Sequence, residues 1–158
     1  MNIHQFGDWL AATDFSQHIQ FSTWMIPTIQ SIHILCLALT FTTGLLLSLR
    51  FAGYGLSSEP LALIATRSAR RIWTLVVVLL VTGALLITAE PGRTITNPAF
   101  YWKMGMLVVV IVLTLWLASS AGRVEKPTGA QLTVAVVAPL LWAAIIFAGR
   151  LIAYTESY

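Results

Sequence analysis

The chain is short of charge, cysteine and histidine. Only 9% of its 158 residues are Asp, Glu, Lys or Arg, where a soluble domain carries about 25%. With 58% hydrophobic residues, a core of this size could not hide its apolar surface from water, which excludes an ordinary soluble enzyme. The same balance excludes a disordered chain, which needs low hydrophobicity and high charge. A single cysteine, Cys36, excludes an intramolecular disulfide and any cysteine-only metal or iron–sulfur site. Nucleotide loops, nucleophile elbows and metallohydrolase helix motifs are missing too. So is a basic patch interleaved with aromatics, and no nucleic-acid partner is expected. Strand-like alternation over about 10 residues, the mark of a membrane barrel, is not seen.

What is present is apolar sequence in long runs. A helix needs about 20 mostly apolar residues to cross the hydrocarbon core. Four stretches qualify, at about 24–49, 72–89, 100–121 and 131–153. Gly, Pro and Asn punctuate the connectors between them, as in EPGRTITNPA after the second run. The N-terminal segment 1–21 has no Lys or Arg and no long apolar run, so no secretory signal is expected. Ile3, Phe6, Trp9 and Leu10 recur at helical spacing, and Asp14–Gln17 resembles a capping box. One or two short helices lying in the membrane interface are expected there. The fold expected is all-α, one membrane domain built as a four-helix bundle with an N-terminal interfacial helix.

Basic residues near span ends set orientation. Arg50, Arg67, Arg70 and Arg71 fall in the first connector, and Arg123 and Lys126 in the third. Both connectors are therefore expected to be cytoplasmic, with both termini on the periplasmic or outer side. Trp24, Trp73, Tyr101, Trp102, Trp116 and Tyr154 fall near span ends, as an aromatic belt does.

Ionisable residues inside a span are expensive and mark functional sites by default. His33 lies roughly 13 Å into the first span at 1.5 Å per residue. Glu90 closes the second span, Lys103 opens the third and Arg150 ends the fourth. All four come to one level, in the outer half. Glu90, Lys103 and Arg150 also read as snorkelling span ends, and His33 as a core histidine bonded to Gln30 or a neighbouring carbonyl.

The functional reading of His33 is axial ligation of haem iron, in a bundle that builds its cofactor site between facing helices. With only His4, His18 and His33 in the chain, two bis-histidine haems are disfavoured and one haem b per chain is expected. Candidates for the second position are His18, Lys103, Met104 and Met106, or an open site; Lys103 must be neutral to ligate. Arg93 or Arg150 suits the propionates, where bidentate geometry favours Arg. His33, Leu37, Thr40 and Gly44 share one helical stripe, and Gly44 would let a flat macrocycle approach the backbone. Gly83 offers the same on the second span. Both glycines equally suit close helix packing.

The stretch WMIPTIQSIHILCLALTFTTGLLLSLRFAGYG resembles the first span of a family of small bacterial four-helix membrane proteins. RIWTLVVVLLVTGALLITAEPGRTITNPAFYWKMGMLV resembles its second and third spans. More remotely, the arrangement is similar to the HemJ-type membrane protoporphyrinogen oxidases and to copper-resistance D domains. The HemJ-type pattern of a first-span histidine, a small-residue stretch, an Arg, and a later Trp–Lys pair matches His33, Gly44, Arg50, Trp102 and Lys103. That resemblance implies haem b at His33, a role for Lys103, and a multi-pass protein of the bacterial inner membrane. The N-terminal segment of this chain departs from that pattern.

The leading expectation is a cytochrome b-like membrane protein transferring electrons in the outer half of the bilayer. Its expected partners are the lipid bilayer, further copies of the chain, and a quinone or a periplasmic electron-transfer protein. A HemJ-type oxidase is the enzymatic alternative, and a cofactor-free structural subunit the bland one. Copper binding through Met25, Met104, Met106, His18, His33 and Cys36 is the weakest, because these residues form no array and Met in a span usually packs.

Overall fold

A computed structural model describes residues 2–54, 58–121 and 127–154; within these, the side chains of Ile3, Arg93 and residues 150–154 lie outside the description. The described residues form four long helices and three short ones, with no strand. Two short helices lead, α1 (Ile3–Ala11) and α2 (Asp14–Phe21). Then come α3 (Met25–Phe51), α4 (Leu61–Ala89), the five-residue α5 (Pro91–Ile95), α6 (Pro98–Ser120) and α7 (Gly129–Tyr154).

Local chemistry sets the helix ends. Thr13 caps α2, its hydroxyl accepting from the Ser16 amide at 3.3 Å. The cap is thus one residue earlier than Asp14, which sits in the first turn, where its charge suits the helix dipole. Asn97 caps α6 by accepting from the Ala99 amide at 2.9 Å, and Pro98 occupies the first turn, where a missing N–H costs nothing. Gly53, at φ 87°, ends α3. The Tyr54 amide reaches the Leu49 carbonyl at 2.8 Å and the Gly53 amide the Arg50 carbonyl at 3.2 Å, a Schellman pattern that needs a left-handed residue.

Three long helices start or stop close to expectation. The fourth differs: α4 begins at Leu61 rather than near 72, so Arg67, Arg70 and Arg71 ride on a helix and not in a loop. Hydropathy falls where the arginines enter, yet the helical stripe continues. Ala65, Ser68 and Ile72 are buried, while Arg67, Arg70 and Arg71 are exposed. Glu59 pairs with Arg67 at 2.9 Å, and its carbonyl accepts from Arg50 Nη2 at 3.0 Å.

The long helices pack as a four-sided bundle. α3 adjoins α4 and α7, and α6 adjoins α4 and α7, so α3 and α6 stand on one diagonal. One end is solid, where Leu47, Phe51, Ala65, Leu117, Ala118, Ala121 and Ala135 form a buried layer. Across α6 and α7, Gln131 ties the helices together, its Nε2 donating to Ser120 Oγ at 2.8 Å. A second layer, Val110, Ala138, Trp142 and Ile145, fills the middle. The other end opens into a cavity.

Outside, the helices show apolar side chains such as Leu35, Leu39, Leu46, Val108, Val112 and Leu140. Each of the four long helices carries an 18-residue window with mean hydropathy of 1.9 to 2.5 and no more than 28% of it buried. All four are long and apolar enough to cross a membrane, and helices satisfy every backbone group internally, as lipid requires. The chain is accordingly a multi-pass membrane protein by the length and composition of its helices. Intrahelical bonds from hydroxyls to the preceding turn, such as Thr40 to Cys36 and Thr114 to Val110, hide polar atoms along these spans.

The short N-terminal helices dock where α4 ends. Ser16 Oγ donates to the Thr88 carbonyl at 2.6 Å, and Ile19 is fully buried. Gly7 meets Gly92 of α5, since a Cβ on Gly7 would lie 3.7 Å from the Gly92 Cα. Phe6 and Trp9 pair on the outer face with ring centroids 5.9 Å apart.

Candidate functional site

The open end of the bundle encloses a cavity of about 440 Å³ lined by all four long helices. This size falls within the range of small-molecule and cofactor sites. Its walls are mostly apolar, with Leu37, Leu79, Leu107 and Ile145 among them. Five polar or charged side chains face it, namely Gln30 and His33 of α3, Glu90 at the end of α4, Thr94 of α5 and Lys103 of α6. Three residues singled out by position along their spans therefore share one chamber.

His33 and Lys103 come from the diagonal pair of helices, and each has a glycine opposite it on a neighbouring helix. A Cβ on Gly83 of α4 would lie 3.6 Å from His33 Cε1. A Cβ on Gly149 of α7 would lie 3.4 Å from Lys103 Nζ. Both glycines thus clear room for a polar side chain in the bundle interior. Lys103 forms no ion pair with a described residue.

The imidazole is anchored across the α3–α4 contact. His33 Nδ1 lies 2.8 Å from Thr82 Oγ1, and Thr82 Oγ1 in turn donates to the Val78 carbonyl at 2.8 Å. The partner of His33 is therefore Thr82 of the neighbouring helix, not Gln30 one turn away on its own. No described residue bonds Nε2. Thr82 is buried and looks like helix filler in the sequence, where a Thr–Gly pair inside a span carries no distinctive signal.

The remaining candidates are placed elsewhere. Gly44 is buried against Trp142, with a Cβ 3.7 Å from the indole Nε1, and does not line the cavity. That indole N–H is buried and has no partner among the described residues. His18 borders a separate shallow depression with Asp14, Gln17, Phe21 and Ser22. Met104 lines the cavity, whereas Met106 packs on the middle core layer. The side chains of Arg93 and Arg150 lie outside the described residues. Gly149 and Thr82 are the lining or supporting positions that sequence reading passed over. Among the described residues no three His, Cys, Asp or Glu side chains gather as a metal-ion cluster; of the residues weighed for copper, His33 and Met104 line the cavity.

Comparison with family models, curated proteins and solved structures finds no match to this chain.

Proposed function

We propose that the chain is a b-type haem-binding membrane protein that passes electrons in the outer half of the bilayer. One observation carries this reading: an imidazole in an apolar chamber, anchored at Nδ1 by Thr82 at 2.8 Å and unbonded at Nε2 by any described residue. Histidines that ligate a metal characteristically donate their second ring N–H to a fixed acceptor. The donor set fits haem b in three respects. His33 supplies the iron ligand, the aliphatic walls suit the macrocycle, and the ammonium of Lys103 suits a propionate, or its neutral amine the second iron position. Arg93 and Arg150 are the further candidates for the propionates, and Gly83 rather than Gly44 is the glycine beside the ligand.

When bound, the haem supplies one-electron chemistry at a potential set by its axial ligands and surroundings. The protein's part is to hold Nε2 in place, to keep water out with the apolar walls, and to supply a cation at the chamber's polar side. A HemJ-type porphyrinogen oxidase is the second reading, favoured by Lys103 facing the same chamber as His33. It is separated from the first by protoporphyrinogen turnover in membranes that Lys103→Ala abolishes while haem stays bound.

In this reading the chamber opens toward the periplasmic side of the bacterial inner membrane. The arginine-bearing ends of α3 and α4 face the cytoplasm, and the N-terminal helices lie in the outer interface. Exposed Phe15, Phe21 and Trp24 support that interfacial position. A quinone or a periplasmic protein is the proposed redox partner, and the exposed Val and Leu faces of α6 and α7 suit packing against a second copy.

The test is a reduced-minus-oxidised visible spectrum of the chain purified in detergent after haem-replete expression. A Soret band with sharp α and β bands is expected, and His33→Ala is expected to abolish it. A colourless protein sinks the proposal, and a haem spectrum that survives His33→Ala sinks the ligand assignment.

A further inference from the structure

We infer that Thr82 is a positioning residue that holds His33 with its proton on Nδ1, leaving the lone pair of Nε2 for whatever the chamber binds. The inference concerns the tautomer of this chain's own residue; only its use in ligating iron rests on the haem reading.

Hydrogen accounting at Thr82 carries it. A threonine hydroxyl has one hydrogen and two lone pairs. Thr82 Oγ1 lies 2.8 Å from the Val78 carbonyl oxygen and 2.8 Å from His33 Nδ1. The Leu79 carbonyl is a further acceptor at 3.3 Å. Carbonyls can only accept, so two oxygens at 2.8 Å need the hydroxyl hydrogen between them. Were that hydrogen turned toward His33 instead, Oγ1 and the Val78 oxygen would face each other bare, at hydrogen-bond distance in an apolar interior, where an unmade bond costs most. The hydroxyl therefore donates back along α4 and has only lone pairs left for the imidazole. Nδ1 must be the donor to Thr82. A neutral imidazole carries one N–H, so Nε2 is the acceptor.

Two further features keep the ring in this state. A Cβ on Gly83 would meet His33 Cε1 at 3.6 Å, so the ring edge seats against the α4 backbone next to Thr82. In addition, no described donor reaches Nε2 to compete for its lone pair. Beside Gln30, Glu90 and Thr94, the chamber thus offers a ligand one imidazole lone pair and, from Lys103, one amine. A metal centre or a hydroxyl donor suits Nε2, whereas a second hydrogen-bond acceptor is repelled there.

The test uses the full chain with ¹⁵N-labelled histidine in detergent, comparing wild type, Thr82→Ser and Thr82→Val, with His33→Gln to assign the signal. In haem-free protein, one-bond and long-range ¹H–¹⁵N correlations report which nitrogen carries the proton. Wild type and Thr82→Ser are expected to show Nδ1–H. Thr82→Val is expected to move the tautomer ratio about fivefold or more toward Nε2–H, the scale of one lost hydrogen bond. In haem-loaded protein, Thr82→Val is expected to weaken haem retention about 10–100-fold, the usual cost of losing such an outer partner, with Thr82→Ser restoring it. A wild-type His33 carrying its proton on Nε2 overturns the inference even if Thr82→Val fails to fold. So does a Thr82→Val protein identical to wild type in both readouts. A colourless chain with Nδ1–H at His33 retires the haem reading and leaves the positioning role standing.

Discussion

Lys103 and Gly149 form a tight pair across the α6–α7 contact, the amine lying 3.4 Å from where a Gly149 Cβ would sit. A methyl there is an ordinary contact that the end of a lysine accommodates by a small shift. A branched side chain is not. Gly149→Ala is expected to keep the spectrum of the wild type, and Gly149→Leu to displace Lys103 and lower haem content severalfold. Absorbance per mole of protein decides it. Equal haem in Gly149→Leu would show that Lys103 has no part in binding.

The docking of the N-terminal helices includes a short bond, from Ser16 Oγ to the Thr88 carbonyl at 2.6 Å, beside the fully buried Ile19. Ser16→Ala removes the bond and leaves a carbonyl unpaired, at a cost of about 1 kcal/mol. Ile19→Ala opens a cavity and costs about 2–5 kcal/mol. Limited proteolysis between α2 and α3 is expected to quicken in both variants, more in Ile19→Ala. Unchanged cleavage would show that these helices are held by something else.

Phe51 and Leu47 are buried in the solid end of the bundle, 1% and 0% exposed. Phe51→Ala is expected to destabilise the protein by about 3–5 kcal/mol, read as a lower Tm or a lower midpoint in a denaturing detergent titration. Because this layer is distant from the chamber, any haem that remains should show a wild-type spectrum. An altered spectrum would indicate coupling between the two ends.

Topology is checked by labelling. With Cys36 replaced by Ser, a cysteine at Ser58 is expected to resist a membrane-impermeant maleimide in intact spheroplasts and to react after lysis. A cysteine at Asn2 is expected to react in both. The reverse pattern would invert the orientation read from Arg50, Arg67, Arg70 and Arg71.

Much of the architecture is legible without coordinates because each span is long, apolar and bounded by turn residues. The start of α4 is not, since the arginines that lower its hydropathy leave its helical stripe of Ala65, Ser68 and Ile72 intact. The site is legible only as a list of costly polar residues at one level. His33, Glu90 and Lys103 stand out because lipid penalises them. Thr82 and Gly149 do not, because a threonine can bond its own helix and a glycine is unremarkable in a packed span. Gly44 shares a helical stripe with His33 but lies about three turns further along α3, outside the chamber. The neighbour that fills the space there is Trp142, which only packing reveals.

By itself the sequence determined that this is a helical membrane protein, how many spans it has, and which few side chains pay a desolvation penalty worth explaining. Those follow from hydropathy and helix length, which are properties of each segment alone. Tertiary structure decided that α3 and α6 stand diagonally, that His33 leans on Thr82 and Lys103 on Gly149, and that a cavity opens between them. These are relations between helices far apart in the chain, settled by how their faces fit, and no single span encodes them.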